Sequence, residues 1–287
     1  MWNELGMSAS DLDRVLRWSR DEVFALATIG KPPVGIMLGR QPASGKSLLI
    51  RRLRRQNPAI GFVVINGDEF RPLHPRFAEF NQLSELEAAT LTQPFVNYIG
   101  QTLLAEVLKN RFNILIEGTM RRAEVPITTA GQFHQHGYQV EAHVLAVATA
   151  HSIQGICHRY ETQKQMGVAG RFFPLPIHDE AYAGLLNSVD RLYQAKRVDR
   201  LVIYNRGAQQ ILADCILENG QWKGMTELTP SQVIEKERNR VWSAAEGLAY
   251  ADIWQTIISL RAKRRAAPDP LPAQLYEQIL LLIRENL

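Results

Sequence analysis

The feature that most restricts how this chain folds is the stretch at residues 35–47, GIMLGRQPASGKS. A short apolar strand runs into a turn ending Gly45-Lys46-Ser47, and residues 48–55 have helical composition. Strand, Gly-Lys-Ser turn and helix in that order form the setting of a phosphate-binding loop. Consecutive backbone N–H groups curl around an anion there, and the helix N-terminus turns its positive end to the same point. Gln41, Pro42, Ala43, Ser44, Gly45, Lys46 and Ser47 are therefore the candidate nucleotide-binding residues. Lys46 is placed to reach the outer phosphates of ATP, and the Ser47 hydroxyl to ligate Mg2+. Arg40 stands where the pattern has its first glycine, and Ala43 where glycine is frequent. Arg40 is then expected to take the backbone geometry that glycine supplies, unless the loop opens differently.

With 287 residues, 46% of them hydrophobic, the chain can bury one large core, or a core and a small appendage. A net charge of +4 suits small anionic substrates and argues only weakly for nucleic acid. Two cysteines, Cys157 and Cys215, are too few for a disulfide framework. The chain starts without a signal-peptide pattern, and no apolar run approaches the ~20 residues a membrane span needs. The expectation is a soluble cytoplasmic protein with no membrane or nucleic-acid partner.

Along the chain, residues 10–27 read as a helix capped by Ser8 or Ser10 and ended by Gly30 and Pro32-Pro33. Trp2 and Trp18 read as packing residues. Strands are predicted at 34–38, 61–65, 112–116, 138–148 and 200–205, with a sixth at 211–217. Helices are predicted at 80–109, 125–136, 151–165 and 181–196. Strands alternating with helices predict an α/β protein built on a parallel sheet with helices on both faces. From Thr229 the pattern turns helical, at 231–246, 249–265 and 274–284. The expected division is a core over 1–228 and a helical C-terminal region over 229–287. The arginines of 51–55 and the cluster Arg261, Lys263, Arg264 and Arg265 read as solvated faces. The seven histidines show no metal-ligand spacing.

Two carboxylates fall where strands end. Asp68 follows the strand at 61–65, on the sheet edge where ligands collect in parallel sheets. It is a candidate base for an acceptor hydroxyl, or else the cap of an Asn-Gly-Asp turn. Glu117, followed by Gly118 and Thr119, ends the next strand. Arg159, and Arg171 in the Gly- and Pro-containing stretch 167–176, fit a lid over a transferring phosphate, or are ordinary surface arginines.

In combination these residues resemble the zeta toxin family, the toxins of epsilon–zeta toxin–antitoxin systems. The resemblance is carried by the loop at 41–47, Asp68 with Phe70 and His74-Pro75-Arg76-Phe77, and Ile116-Glu117-Gly118-Thr119-Met120-Arg121. Val125-Pro126-Ile127, Arg159-Tyr160-Glu161-Thr162, Tyr204-Asn205-Arg206, Glu235-Lys236-Glu237 and Asn239-Arg240 extend it along nearly the whole chain. It implies a P-loop kinase fold and ATP-dependent phosphorylation of the amino-sugar 3′-hydroxyl of UDP-N-acetylglucosamine, a reaction that blocks cell-wall synthesis. It also implies an antitoxin partner at the nucleotide site. Asp68 is then the base, and Lys46, Arg159 and Arg171 act on the phosphoryl group. Glu117, Thr119, Arg121 and Gln101 join Asp68 on the substrate side, with Gln101 standing where many relatives have glutamate. A kinase for another small-molecule or nucleotide acceptor, and a nucleotide-binding switch without turnover, are the alternatives.

Overall fold

The computed structural model describes residues 5–83, 85–167, 175–224 and 227–264. Seven strands form one sheet: β1 (Val34–Gly39), β2 (Val63–Ile65), β3 (Ile114–Gly118), β4 (Gln139–Leu145), β5 (Arg200–Tyr204), β6 (Ile211–Glu218) and β7 (Gln221–Lys223). They lie side by side in the order β2-β3-β1-β4-β5-β6-β7. The first five run parallel; β6 and β7 are antiparallel. The parallel α/β sheet expected from the alternation is present, with an antiparallel pair added at one edge. Residues 205–210 are too short to carry a crossover, so β6 has to return beside β5 in the opposite sense.

Ahead of the first strand is α1 (Ala9–Phe24), and between the strands run α2 (Lys46–Gln56), α3 (Gly67–Phe70), α4 (Phe77–Leu83), α5 (Glu85–Leu91), α6 (Gln93–Asn110) and α7 (Glu124–Gln135). They are followed by α8 (Thr149–Gln165), α9 (Leu175–Gln194), α10 (Pro230–Arg238) and α11 (Ala244–Lys263). One face of the sheet packs under α1, α6, α7, α9 and α10 through Leu12, Ile99, Phe133, Leu185 and Ile234. Leu49 and Leu53 of α2 cover Ile36, Leu38, Leu115 and Tyr204 on the other. Trp254 and Ile257 of α11 pack on Cys157 of α8. Among the described residues no helix is long and apolar enough to cross a membrane.

Several boundaries differ from the periodicity. The single helix expected over 80–109 is three helices. Pro94 sits in the first turn of α6, where a missing N–H costs nothing, and Leu91 ahead of it is exposed while Phe95, Ile99, Leu103 and Val107 are buried. The helix expected over 231–246 ends at Arg238, and a capping box at Ser243 and Glu246 starts α11 five residues later. Trp18 is 48% exposed, because the buried stripe of α1 runs through Leu12, Val15 and Ser19. Two expected solvated faces are partly engaged. Arg52 donates to the carbonyl of Ala208 at 2.6 Å, and Arg264 donates to the buried Glu161 at 2.9 and 3.1 Å. Trp2, Arg265 and the helix expected at 274–284 lie outside the described residues.

Helix α9 presses on the segment that follows β3. Ser188 donates to the carbonyl of Met120 at 2.6 Å. A Cβ on Gly184 would fall 2.0 Å from the carbonyl oxygen of Arg121. Backbone cannot yield as a flexible side chain does, so Gly184→Ala is expected to cost about 1–3 kcal/mol, the usual range for overpacking. Urea unfolding measures it, and a variant as stable as the parent contradicts this packing.

Candidate active site

Strand β1 lies between β3 and β4, with Leu38 paired to Glu117 on one side and His143 on the other. The chain leaves the sheet there, at the point where the strand order reverses and a crevice opens. The loop that follows bends through left-handed backbone at Ala43 (φ 56°) and Gly45 (φ 95°), whereas Arg40 has no positive φ. The loop therefore opens without needing glycine at position 40. Helix α2 begins at Lys46 with no side chain capping it, so its first N–H groups stay available to an anion. Gly155 of α8 lets that helix lie against the loop, since a Cβ there would meet Ala43 at 2.9 Å.

Gln41 sits behind the loop. It is fully buried, donates to the carbonyl of Val147 and accepts from Arg238 Nη2 at 3.4 Å. Arg238 itself is buried, donates to the carbonyl of Tyr182 at 3.0 Å and stacks 3.6 Å from the centre of that ring. Burial pushes its guanidinium down to about 10. This pair ties α10 to the base of the loop, a role that no motif announced.

In front of the loop is a cleft of about 690 Å³, to which residues 42–47 contribute one wall. Asp68, Glu117, Thr119, Gln101 and Arg159 line it as well. Helix α6 supplies Gln101, α8 supplies Arg159, and the ends of β2 and β3 supply the two carboxylates and the threonine. The Lys46 ammonium donates to Glu117 Oε2, and Arg40 Nη2 lies 3.7 Å from that same oxygen. The Glu117 side chain is only 4% exposed, so these two cations compensate a buried carboxylate.

Asp68 lies at the start of α3, which Asn66 caps by accepting the Asp68 backbone N–H at 3.3 Å. The capping role thus belongs to Asn66, and the Asp68 carboxylate is turned to other partners. Arg71 Nε donates to Asp68 Oδ1 at 3.3 Å. Arg71 is itself fixed by the carbonyl of Ala89 at 2.6 Å, Thr92 at 3.0 Å and Gln93 at 2.7 Å. The sequence reading missed Arg71, although its i,i+3 spacing from Asp68, one residue past the end of α3, was the available signal.

One substrate-side candidate stands apart from the rest. Arg121 does not line the cleft; its guanidinium pairs with Glu180 of α9 at 3.2 Å. Arg171, with most of the lid segment expected at 167–176, lies outside the described residues.

A second cleft of about 300 Å³ opens on the other side of the loop and shares Ala43 and Gly45 with the first. Leu48, His151, Arg206 and Trp242 also line it. The His151 and Trp242 rings are 4.0 Å apart, with the Tyr250 ring edge-on to His151. Burial, seconded by the charge of Arg206, pushes His151 down to about 4. A histidine depressed below its unfolded value contributes stability that is complete above about pH 6.5 and shrinks as the pH falls toward 4. An NMR titration is expected to find the His151 ring neutral down to about pH 4; a midpoint near 6.5 contradicts its enclosure.

Comparison with known proteins bears on this geometry. The family model for zeta toxin matches residues 20–215, from α1 through β6. Toxin zeta of Streptococcus pyogenes is 29% identical over 247 residues, which are 86% of this chain and 83% of that protein. Toxin PezT of Streptococcus pneumoniae is 30% identical over 177 residues, 61% of this chain and 70% of its own length. A solved structure from the PezAT chromosomal toxin–antitoxin system of that organism matches with a TM-score of 0.71 at 22% identity, covering 90% of this chain and 96% of the other. The AvrRxo1-ORF1:-ORF2 complex with ATP matches with a TM-score of 0.54 at 13% identity, over 82% and 73% of the two chains. These likenesses establish the fold as that of a P-loop kinase. The chain belongs to the zeta toxin family.

Proposed function

We propose that the protein is a kinase that transfers the γ-phosphoryl group of ATP to the amino-sugar 3′-hydroxyl of UDP-N-acetylglucosamine, blocking cell-wall synthesis. One observation carries the reading: a single cleft is lined both by the phosphate loop with Lys46 and by Asp68, Glu117 and Thr119. The two clefts meeting at Ala43 and Gly45 suit a nucleotide whose phosphates lie in the loop and whose base lies toward Trp242 and His151.

In this reading Asp68 takes the proton of the acceptor hydroxyl while that oxygen bonds to the γ-phosphorus. The bond from the γ-phosphorus to the β,γ-bridging oxygen breaks, and the electron pair leaves with ADP. Lys46 and Arg159 balance the charge on the equatorial oxygens, and Arg71 holds Asp68 in place. Arg171 is assigned the same role as Arg159, and Glu117, Thr119 and Gln101, which line the cleft, are assigned to the acceptor side, whereas Arg121 is held by Glu180 away from it. Left-handed turns at positions 43 and 45, an uncapped helix start and the Ser47 hydroxyl fit ATP with Mg2+. The Ser47 hydroxyl would hold the metal, which would supply positive charge to offset that of the phosphates. The toxin–antitoxin system of the pneumococcal neighbour supports an antitoxin partner, and the family resemblance assigns it to the nucleotide site.

The test is incubation with ATP, Mg2+ and a panel of UDP-sugars, nucleotides and other small acceptors, read by mass spectrometry. The reading expects UDP-N-acetylglucosamine to gain one phosphoryl group. Transfer to a different acceptor alone overturns the substrate assignment, and transfer to none overturns the kinase.

A further inference from the structure

Among the described residues Glu117 has two cationic neighbours, and the proposed reaction requires one of them elsewhere. Its side chain is 4% exposed, Lys46 touches its Oε2, and Arg40 Nη2 lies 3.7 Å from that atom. Lys46 is the first residue of α2, and its ammonium rides on a flexible four-carbon stem. A nucleotide triphosphate in the loop offers that ammonium several anionic oxygens in place of one carboxylate oxygen. Once Lys46 turns to the phosphates, Glu117 is left as a buried carboxylate short of a partner, which is unfavourable.

We infer that Arg40 is a positioning residue that takes over Glu117 when Lys46 moves to the nucleotide, so that ATP binding leaves no uncompensated buried charge. The inference rests on the kinase reading above. Three observations support it. Arg40 lines the same cleft as Lys46 and Glu117. Its side chain is 15% exposed, so the guanidinium works out of bulk water. Its backbone is not left-handed, so arginine sits at the glycine position of the motif without strain and supplies a charge that glycine lacks. A guanidinium also fits both oxygens of a carboxylate in a fork, which an ammonium does not. Arg40 thereby acts through Glu117 and Lys46, not on the phosphoryl group itself.

The experiment is a double-mutant cycle read by calorimetric titration with MgATP, with thermal unfolding to confirm that each variant is folded. Arg40→Met is expected to weaken MgATP binding about tenfold, and Arg40→Lys, which keeps the charge, to stay within about threefold of the parent. In a Glu117→Gln background, where no buried carboxylate needs compensation, Arg40→Met is expected to change the affinity less than twofold. A residue that only shapes the loop, or that attracts ATP directly, produces the same loss in both backgrounds, and that result overturns the inference. Unchanged affinity in Arg40→Met overturns it too. Arg40→Gly, which restores the usual residue of the motif, repeats the cycle should the methionine variant fail to fold. Absence of MgATP binding to the parent protein removes the kinase reading along with this inference, whereas tight parental binding with no coupling removes the inference alone.

Discussion

Replacing Lys46 by alanine is expected to lower phosphoryl transfer by about 10²–10³-fold, the range seen when one preorganised charge-stabilising donor is lost. Most of the loss should fall in kcat, because the ammonium acts on charge that develops as the phosphoryl group moves. The structure adds a consequence that the motif alone does not carry. Glu117 is almost wholly buried and touches Lys46, so the substitution also removes a cation from a buried carboxylate. Arg40, 3.7 Å from the same oxygen, limits that damage to about 1–3 kcal/mol. Adding Glu117→Gln should recover the stability and leave transfer depressed. Urea unfolding and single-turnover kinetics separate the two effects, and parental turnover in Lys46→Ala contradicts the role given to this residue.

Asp68→Asn is expected to reduce transfer by about 10²–10⁴-fold, the usual contribution of a positioned base, with MgATP binding nearly unchanged. Asparagine keeps an oxygen that can accept from Arg71, which donates to Asp68 at 3.3 Å, so the local fold should survive. What it loses is the capacity to take a proton from the acceptor hydroxyl. Steady-state kinetics paired with calorimetric ATP titration make the distinction. A kcat near that of the parent excludes Asp68 as the base, and a parallel collapse of ATP affinity assigns it to nucleotide binding instead.

The loop was legible because its chemistry is local. A strand, Gly45-Lys46-Ser47 and a helix specify an anion cradle within a dozen residues, and β1, the loop and α2 follow that order. Asp68 and Glu117 were legible for a related reason, since each follows an apolar β-branched run that must be buried and must end at the sheet edge. What escaped depends on distant partners. Arg71 reads as an ordinary surface arginine until α5 and α6 bring Ala89, Thr92 and Gln93 against it. Arg121 reads as part of the Glu117-Gly118-Thr119 segment, yet Glu180, on a helix far along the chain, draws it to α9. The second cleft joins α8, the turn after β5 and the start of α11 around Trp242 and His151, three segments with no common sequence signal. The merging of α4, α5 and α6 into one helix has a simpler cause. Leu91 falls in register with Phe95, and only the break at Thr92 and Pro94 shows that the stripe starts anew.

The central claim is that one cleft seats the γ-phosphoryl group between the ammonium of Lys46 and a hydroxyl held by Asp68. A crystal structure with a non-hydrolysable ATP analogue, Mg2+ and UDP-N-acetylglucosamine tests it most directly. The account predicts the triphosphate wrapped by residues 42–47, Lys46 turned onto the γ-phosphate, and the sugar 3′-hydroxyl within about 3 Å of an Asp68 carboxylate oxygen. A nucleotide bound away from that loop, or a sugar whose hydroxyls all lie beyond reach of Asp68, contradicts it.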